Sequence, residues 1–242
     1  MPPDPRKSYY VYVCGIKGSG KSEYCKHMFY SYPFDRLVID VTHDVTETLR
    51  RDGIPHHQIT TPIPGSWPEW MRDEETEARQ MTLVYRPDMG DEESWADMDR
   101  CVGLAQRGRD PSTGRTRPVL GWLDEIGQVC NAHKTGPGMR RALHHGRHTD
   151  LSLLMAGPEA KNVDPLCIAQ ADRTVTFRLL NREHREALAR NMGVDQAEFD
   201  LMNKALGPYE HMIWERETEE LVHMAALPRW RRGSNMYGQV PA

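Results

Sequence analysis

The fold of this chain is decided by the stretch Gly15-Ile16-Lys17-Gly18-Ser19-Gly20-Lys21-Ser22. A run of β-branched and aromatic residues, 9–14, precedes it and predicts a buried strand, and residues 21–30 follow it with the pattern of a helix. Between a strand and a helix, the spacing G-x-x-x-x-G-K-S predicts a loop whose backbone N–H groups and helix N-terminus bind phosphate. We therefore expect residues 15–22 to contact a nucleotide, with Lys21 at the β- and γ-phosphates and the Ser22 hydroxyl on Mg²⁺.

The length and composition predict one soluble domain. The 242 residues, of which 38% are hydrophobic and 27% charged, suit a single α/β domain with a sizeable core. We place that core at about residues 8–227 of the 1–242 domain, with loosely held termini at 1–7 and 229–242. The net charge of -4 excludes a global basic field, so any surface for nucleic acid must be local.

The cysteines and the N-terminus indicate the compartment. Five cysteines are scattered without a C-x-x-C pair, which is typical of reduced thiols and not of a disulfide framework or a zinc site. No apolar run approaches the roughly 18 residues that a membrane span needs, and residues 1–7 lack the apolar core of a signal peptide. We expect no integral membrane segment and a cytoplasmic location. If the protein is viral, that location is the host cytoplasm, and association with the virion is the alternative.

Strand-like and helix-like stretches alternate after the loop, which predicts a mostly parallel sheet with helices on its faces. The further predicted strands are residues 36–41, 81–86, 119–123, 151–157 and 173–180, and the further predicted helices are 92–106 and 139–148. Two short helices follow, the second capped by Asp195, and then residues 211–215 and 221–224 read as a hairpin. The predicted fold is therefore an α/β P-loop NTPase of the RecA-like (ASCE) type, with a C-terminal β-hairpin.

A second nucleotide motif lies at the end of the predicted strand 119–123, where four apolar residues lead into Asp124 and Glu125. There Asp124 would hold Mg²⁺, and Glu125 would orient and deprotonate an attacking water. Asp40 ends a neighbouring strand and would either hydrogen-bond a magnesium-bound water or cap the next turn. Because a small-molecule kinase needs no such water activator, the pair favours ATP hydrolysis over phosphoryl transfer.

The stretch after this motif resembles the FtsK/HerA superfamily of DNA-pumping ATPases. Residues 139–148 are similar to the family's arginine-bearing helix, 151–156 to its sensor strand, and 162–165 to its valine-acid-proline turn. The compact chain most resembles the genome-packaging ATPases of membrane-containing double-stranded DNA viruses, and it is also similar to Zot-like assembly ATPases of filamentous phage. The resemblance covers roughly residues 8–227.

The resemblance implies ATP and Mg²⁺ as cofactors and a homo-oligomeric ring, usually a hexamer, with ATP at each subunit interface. An arginine from the neighbouring subunit would then stabilise charge on the transferring phosphoryl group. Arg140, Arg141 and Arg147 lie in the matching region, with Arg147 slightly preferred over Arg140. The alternative for each is a solvated helix arginine.

One feature departs from the family pattern. Family members usually carry a polar residue just after the sensor strand, whereas this chain has Pro158 there. Pro158 has no side-chain hydrogen bond to offer a γ-phosphate, so that role falls to Glu159, to Asn162 or to no residue. The departure bears on the coupling of hydrolysis to movement and leaves nucleotide binding unaffected.

A polar segment before the second motif, which we expect to be a loop, is rich in arginine: Arg107, Arg109, Arg115 and Arg117. These side chains would either track double-stranded DNA phosphates in a central pore or form an ordinary solvated loop. Further partners implied by the resemblance are a capsid vertex and membrane-associated viral proteins.

Three functions stay open on the sequence. The first is a motor that hydrolyses ATP and translocates double-stranded DNA, packaging a viral genome into its capsid. The second is a P-loop kinase of small phosphate acceptors, which would need an arginine-bearing lid late in the chain. The third is a non-motor, Zot-like assembly ATPase, which generally carries a membrane span.

Overall fold

One nine-stranded sheet, with helices on both faces, organises the residues that the computed structural model describes, which are 7–59, 81–88, 92–106, 118–158 and 160–231. The strands are β1 Tyr10–Cys14, β2 Asp35–Ile39, β3 His57–Ile59, β4 Thr82–Tyr85, β5 Val119–Leu123, β6 Leu151–Gly157, β7 Arg173–Phe177, β8 His211–Glu215 and β9 Glu220–Met224. The helices are α1 Lys21–Ser31, α2 Asp44–Arg51, α3 Glu92–Ala105, α4 Ile126–Val129, α5 Pro137–His145, α6 Pro165–Ala169, α7 Arg182–Met192 and α8 Gln196–Ala205, and a 3₁₀ turn, Gly146–His148, follows α5.

The strand order is β3-β4-β2-β5-β6-β1-β7-β8-β9. The strands from β3 to β7 in this order are parallel, and β8 and β9 add antiparallel at the end as a hairpin. The predicted fold class, a mostly parallel sheet flanked by helices with a C-terminal hairpin, is confirmed. The predicted cap is also confirmed, because the Asp195 carboxylate accepts a 2.8 Å hydrogen bond from the Glu198 N–H at the start of α8.

Both faces of the sheet are covered, which explains why the central strands read as continuous apolar runs. On β1, Val11 and Val13 point to the face that carries α1 and α2, whereas Tyr10 and Tyr12 point to the face that carries α3 to α8. The buried Tyr10 hydroxyl donates a 2.6 Å hydrogen bond to the Ala142 carbonyl, which ties β1 to α5.

The topology brings the predicted site residues to one edge. Because parallel strands end at the same edge of a sheet, the segments after β1, β2, β5, β6 and β7 meet there. Strand β6 lies between β1 and β5, so the glycine-rich loop and Asp124 are separated by two strand spacings, about 10 Å. Among the described residues, no helix has both the length and the apolar character that a bilayer-spanning segment needs.

Candidate nucleotide site

The glycine-rich loop joins β1 to α1 through a backbone that other residues adopt with difficulty. Gly18 and Gly20 have φ angles of 77° and 113°, in the left-handed region. A Cβ at Gly15 would lie 2.5 Å from the Phe177 Cβ, and one at Gly20 would lie 2.9 Å from the Phe177 ring. The loop is also tied to the segment after β7, because the Ile16 N–H donates a 3.2 Å hydrogen bond to the Arg178 carbonyl. Close packing on β7 thus fixes the loop.

Lys21 lies over this loop at the first position of α1. Its ammonium donates hydrogen bonds to the carbonyls of Gly15, at 2.7 Å, and of Ile16, at 3.0 Å. Burial lowers the pKa of Lys21, and the charges of Glu125 and Asp124 are among the influences that oppose this shift. The lysine and the acidic pair are therefore close enough to influence one another electrostatically.

Asp124 follows β5 and is held by a residue that the sequence analysis did not single out. Its carboxylate accepts a 2.9 Å hydrogen bond from the Thr42 hydroxyl. Burial raises the pKa of Asp124 to about 6; the Thr42 hydrogen bond opposes this shift, and nearby Glu125, Asp40 and Asp44 add to it. Thr42 lies in the segment after β2 and directly follows the strand that was predicted at 36–41, and that position was the available clue to its role.

Glu125 adopts a left-handed backbone, with φ 50° and ψ 55°, at the N-cap of the short helix α4. A non-glycine residue in this conformation costs about 1–2 kcal/mol, and such residues concentrate at functional sites. The two consecutive carboxylates thus belong to different backbone segments, Asp124 directly after β5 and Glu125 at the N-cap of α4.

Asp40 turns out to be a capping residue. It is fully buried, and its carboxylate accepts hydrogen bonds from the N–H groups of Val45, at 3.2 Å, and Thr46, at 2.7 Å, as well as from the Thr46 hydroxyl. These bonds satisfy donors at the start of α2. Of the two roles open for Asp40, the structure shows the cap.

The residues at this edge fit a magnesium ion. Ser22 presents an exposed hydroxyl at the start of α1, and Asp124 presents a partly buried carboxylate whose raised pKa shows that its charge is incompletely compensated. Mg²⁺ takes oxygen ligands and is commonly held by one or two protein groups together with substrate phosphates. The described residues contain no cluster of three or more His, Cys, Asp or Glu side chains that could hold a metal ion.

A groove of about 780 Å³ opens beside the loop. Gly18, Gly20 and Ser22 form its floor, and Tyr209 and Trp230 are among its walls. Although residues from 229 on were expected to be loosely held, the Trp230 N–H donates to the Glu23 carboxylate and its ring packs edge-on against Tyr30, 4.6 Å between centroids. The segment that carries Trp230 therefore lies along α1.

The structure describes only some of the predicted arginines. Arg140 and Arg141 are exposed on α5, which packs on the sheet face opposite to α1. Arg147 lies in the 3₁₀ turn after α5, and its side chain is outside the described part. The loop arginines also lie outside the described residues: Arg107, Arg109, Arg115 and Arg117.

The segment after the sensor strand is described only in part. Pro158 is exposed directly after β6, whereas Glu159 lies outside the described residues. Asn162 is exposed, and its carbonyl accepts a 3.3 Å hydrogen bond from the Ala132 N–H. In the turn that follows, the Asp164 carboxylate caps α6 and accepts a 2.6 Å hydrogen bond from the Thr135 hydroxyl.

No protein-family model and no curated protein matches this chain by sequence. Solved structures do match its fold. The genome packaging NTPase B204 from Sulfolobus turreted icosahedral virus 2, in complex with AMPPCP, aligns with 93% of this chain and 100% of its own at 19% identity and a TM-score of 0.65. VirB4 of Thermoanaerobacter pseudethanolicus aligns with 94% of this chain and 92% of its own at 12% identity and a TM-score of 0.61. The chain therefore has the P-loop ATPase fold that the viral packaging NTPase B204 and VirB4 share.

Proposed function

We propose that this chain is an ATPase that assembles into a homo-oligomeric ring, a hexamer, and translocates double-stranded DNA, packaging a viral genome into its capsid. The ATPase part rests on the proximity of Lys21 to Asp124 and Glu125 at one edge of the sheet. Strand β6 lies between β1, which precedes the Lys21 loop, and β5, which precedes the acidic pair. The shared fold with the packaging NTPase B204, whose structures hold AMPPCP or ATP-γS, supports the same assignment. The DNA part rests on that likeness and on the sequence resemblance.

The loop binds the nucleotide through its backbone N–H groups, and Lys21 donates to phosphate oxygens from its place over the loop. Ser22 and Asp124 would hold Mg²⁺, and the ion would supply positive charge to offset the negative charge of the nucleotide phosphates. Asp124 does this as the ionised carboxylate, and Thr42 keeps that carboxylate oriented.

Glu125 positions the attacking water and accepts its proton. The left-handed backbone at Glu125, a conformation that concentrates at functional sites, supports this role. Arg147 of the partner subunit, or else Arg140 or Arg141, stabilises charge on the phosphoryl group. The exposure of Arg140 and Arg141 on the far face of the sheet from α1 supports action across an interface.

The deciding experiment measures ATP hydrolysis by the purified protein with and without double-stranded DNA, together with its mass in solution with nucleotide. We expect DNA to raise turnover and nucleotide to promote the ring. The Glu125→Gln variant should bind MgATP and fail to turn it over, since only the base is lost. Equal turnover with and without DNA, in a protein that stays monomeric, would remove the motor proposal.

A subunit-mixing experiment tests the arginine. Arg147→Ala subunits and Lys21→Ala subunits should each be inactive alone, and mixed rings should regain part of the activity, because one interface then has both groups intact. Absence of recovery in every mixture would indicate a self-contained site. Detection of a phosphorylated small acceptor would instead favour the kinase alternative.

A further inference from the structure

We propose that Tyr209 is the stacking platform for the nucleobase, so that this side chain, and not the loop, distinguishes a nucleoside triphosphate from bare polyphosphate. The inference rests on the proposed nucleotide site and adds the part of the ligand that the sequence motifs leave unassigned. Those motifs account for the phosphates and the metal ion. They do not indicate where the base and sugar lie.

Tyr209 occupies an unusual position for an aromatic residue. It lies in the turn between α8 and β8, where its backbone has a φ of 63°, and its side chain is 57% exposed. The ring lies beside the phosphate loop, because a Cβ added at Gly20 would come within 3.5 Å of the Tyr209 Cδ1 atom. An exposed aromatic ring held in a left-handed backbone conformation beside a ligand loop is typical of a functional position.

The turn that carries Tyr209 is fixed at both ends. The Gly207 N–H donates a 2.8 Å hydrogen bond to the Glu210 carboxylate, and the Glu210 N–H donates to the Gly207 carbonyl at 3.3 Å. The same carboxylate contacts His223 of β9 at 3.0 Å. Because the backbone of the turn is anchored in this way, less conformational entropy is lost when the Tyr209 ring stacks on a base.

The space around Tyr209 matches a nucleoside. The ring lines both the 780 Å³ groove and a smaller cavity of about 260 Å³ on the Arg178 side of the loop. The groove has the size usual for small-ligand sites. Leu227 and Trp230 form its apolar wall, and they are held on α1 by a 2.7 Å contact between the His27 Nε2 atom and the Pro228 carbonyl as well as by the Trp230 contacts. Tyr209 is therefore positioned to contact a base in either of these two spaces.

Stacking of a base on an aromatic ring requires only a π face and tolerates different bases. Removal of such a ring is expected to weaken nucleotide binding roughly 10- to 100-fold. It should not change the binding of inorganic tripolyphosphate, which has no base and is held by the loop, Lys21 and the metal ion. This difference between two ligands separates the proposed role from a general effect on the loop.

The test compares the affinities of Mg-ATP and Mg-tripolyphosphate, by calorimetry, for the full chain and three variants. Tyr209→Gly removes the ring, and glycine suits a φ of 63°, so the turn should keep its conformation. Tyr209→Phe keeps the ring. Leu201→Ala is the matched control, because Leu201 is another exposed apolar side chain, 73% exposed, on α8.

We expect only Tyr209→Gly to lose ATP affinity, down to the level of tripolyphosphate, with tripolyphosphate binding unchanged in all variants. Unchanged ATP affinity in Tyr209→Gly would overturn the stacking role. So would equal affinity of the unmodified chain for the two ligands, although the proposed phosphate site would survive that result. If the unmodified chain binds neither ligand, both the stacking role and the proposed function fail.

Discussion

The Thr42 hydroxyl donates a 2.9 Å hydrogen bond to the Asp124 carboxylate, which joins the segment after β2 to the end of β5. These strands are neighbours in the sheet, and the Asp124 N–H also donates to the Ile39 carbonyl at 3.1 Å. The proposed magnesium ligand is therefore held from its main chain and from its side chain. A residue 82 positions away in the sequence provides the second of these contacts.

Thr42→Val should weaken the binding of Mg-ATP. The hydrogen bond opposes the rise in the pKa of Asp124, so its loss raises that pKa further and leaves the carboxylate less fixed. Because Thr42 and its hydrogen bond are exposed to solvent, a loss of about 1 kcal/mol, roughly five-fold in affinity, is expected. Titration calorimetry at pH 7 measures it. Thr48→Val on α2 is the control, and equal affinity in both variants would contradict the role of Thr42.

Nucleotide binding should depend on pH through Asp124. With a pKa of about 6, this carboxyl becomes protonated as the pH falls below 6, and a protonated carboxyl is a poor ligand for Mg²⁺. The magnesium-dependent part of the affinity should therefore fall about ten-fold per pH unit below 6. In Asp124→Asn that part should be small at every pH. A flat profile in the unmodified chain between pH 5 and 7 would argue against Asp124 as the ligand.

The raised pKa of Asp124 also makes the free energy of unfolding depend on pH, in the direction opposite to that of nucleotide binding. Since the folded-state pKa of Asp124 lies above its unfolded value, the protonated form is favoured by folding, and stability is lost as the pH rises from about 4 to about 6. Without nucleotide at pH 7.5, Asp124→Asn should thus be more stable, by about 1–2 kcal/mol after allowance for partial exposure. Urea unfolding of the two proteins checks this. A destabilised variant would show that the carboxylate is already compensated.

Glu125 should show a trade between stability and activity. Its backbone lies in the left-handed region, so Glu125→Gly relieves strain in the folded state. Glycine also raises the entropy of the unfolded chain, and this destabilising effect offsets only part of the relieved strain. We expect Glu125→Gly to be more stable by about 0.5–1 kcal/mol and inactive in hydrolysis. Glu125→Gln should be equally inactive with unchanged stability, because it keeps the strained backbone. A glycine variant that is less stable than the glutamine variant would contradict this account.

The sequence predicted the parts of the site that lie within a short segment. Residues 15–22 form a local motif, and Asp124 and Glu125 directly follow an apolar strand, so both could be recognised without knowledge of the sheet order. Thr42 and Tyr209 could not be found in this way. Each reaches the site only because the sheet order places β2 beside β5, and because β8 pairs with β7, the strand next to β1. Their own sequence surroundings carry no motif.

The ends of strands and helices, and the packing of the C-terminal segment, were predicted less well, because they too depend on tertiary contacts. The strand expected at 173–180 ends at Phe177, because the backbone beyond it turns to bond the loop through the Arg178 carbonyl. The helix expected at 139–148 begins at Pro137 and gives way to a 3₁₀ turn at Gly146. Trp230 follows no periodic pattern, so its packing on Tyr30 depends on a tertiary contact that composition does not reveal.

A last prediction concerns His211, which links the phosphate loop to acid stability. Its ring is buried, stacks on Phe177 at 5.1 Å and meets the edge of Tyr24 at 5.7 Å. Burial lowers the pKa of His211 to about 4, so the folded state keeps this ring neutral while the unfolded chain binds a proton below about pH 6.5. Stability should therefore decline as the pH falls from 6.5 towards 4, by up to about 3 kcal/mol.

The measurement compares urea unfolding at pH 7 and pH 4.5 for the unmodified chain and His211→Phe. Phenylalanine keeps the aromatic stack and cannot bind a proton, so the variant should lose less stability between the two pH values, and the difference isolates His211 from Asp124, whose contribution runs the other way. His133→Gln is the control, because it replaces an exposed histidine, and this variant should behave like the unmodified chain. Because Phe177 also packs against Gly15 and Gly20, protonation of His211 should loosen the loop before the sheet unfolds. If His211→Phe loses as much stability as the unmodified chain, the acid sensitivity arises elsewhere in the fold.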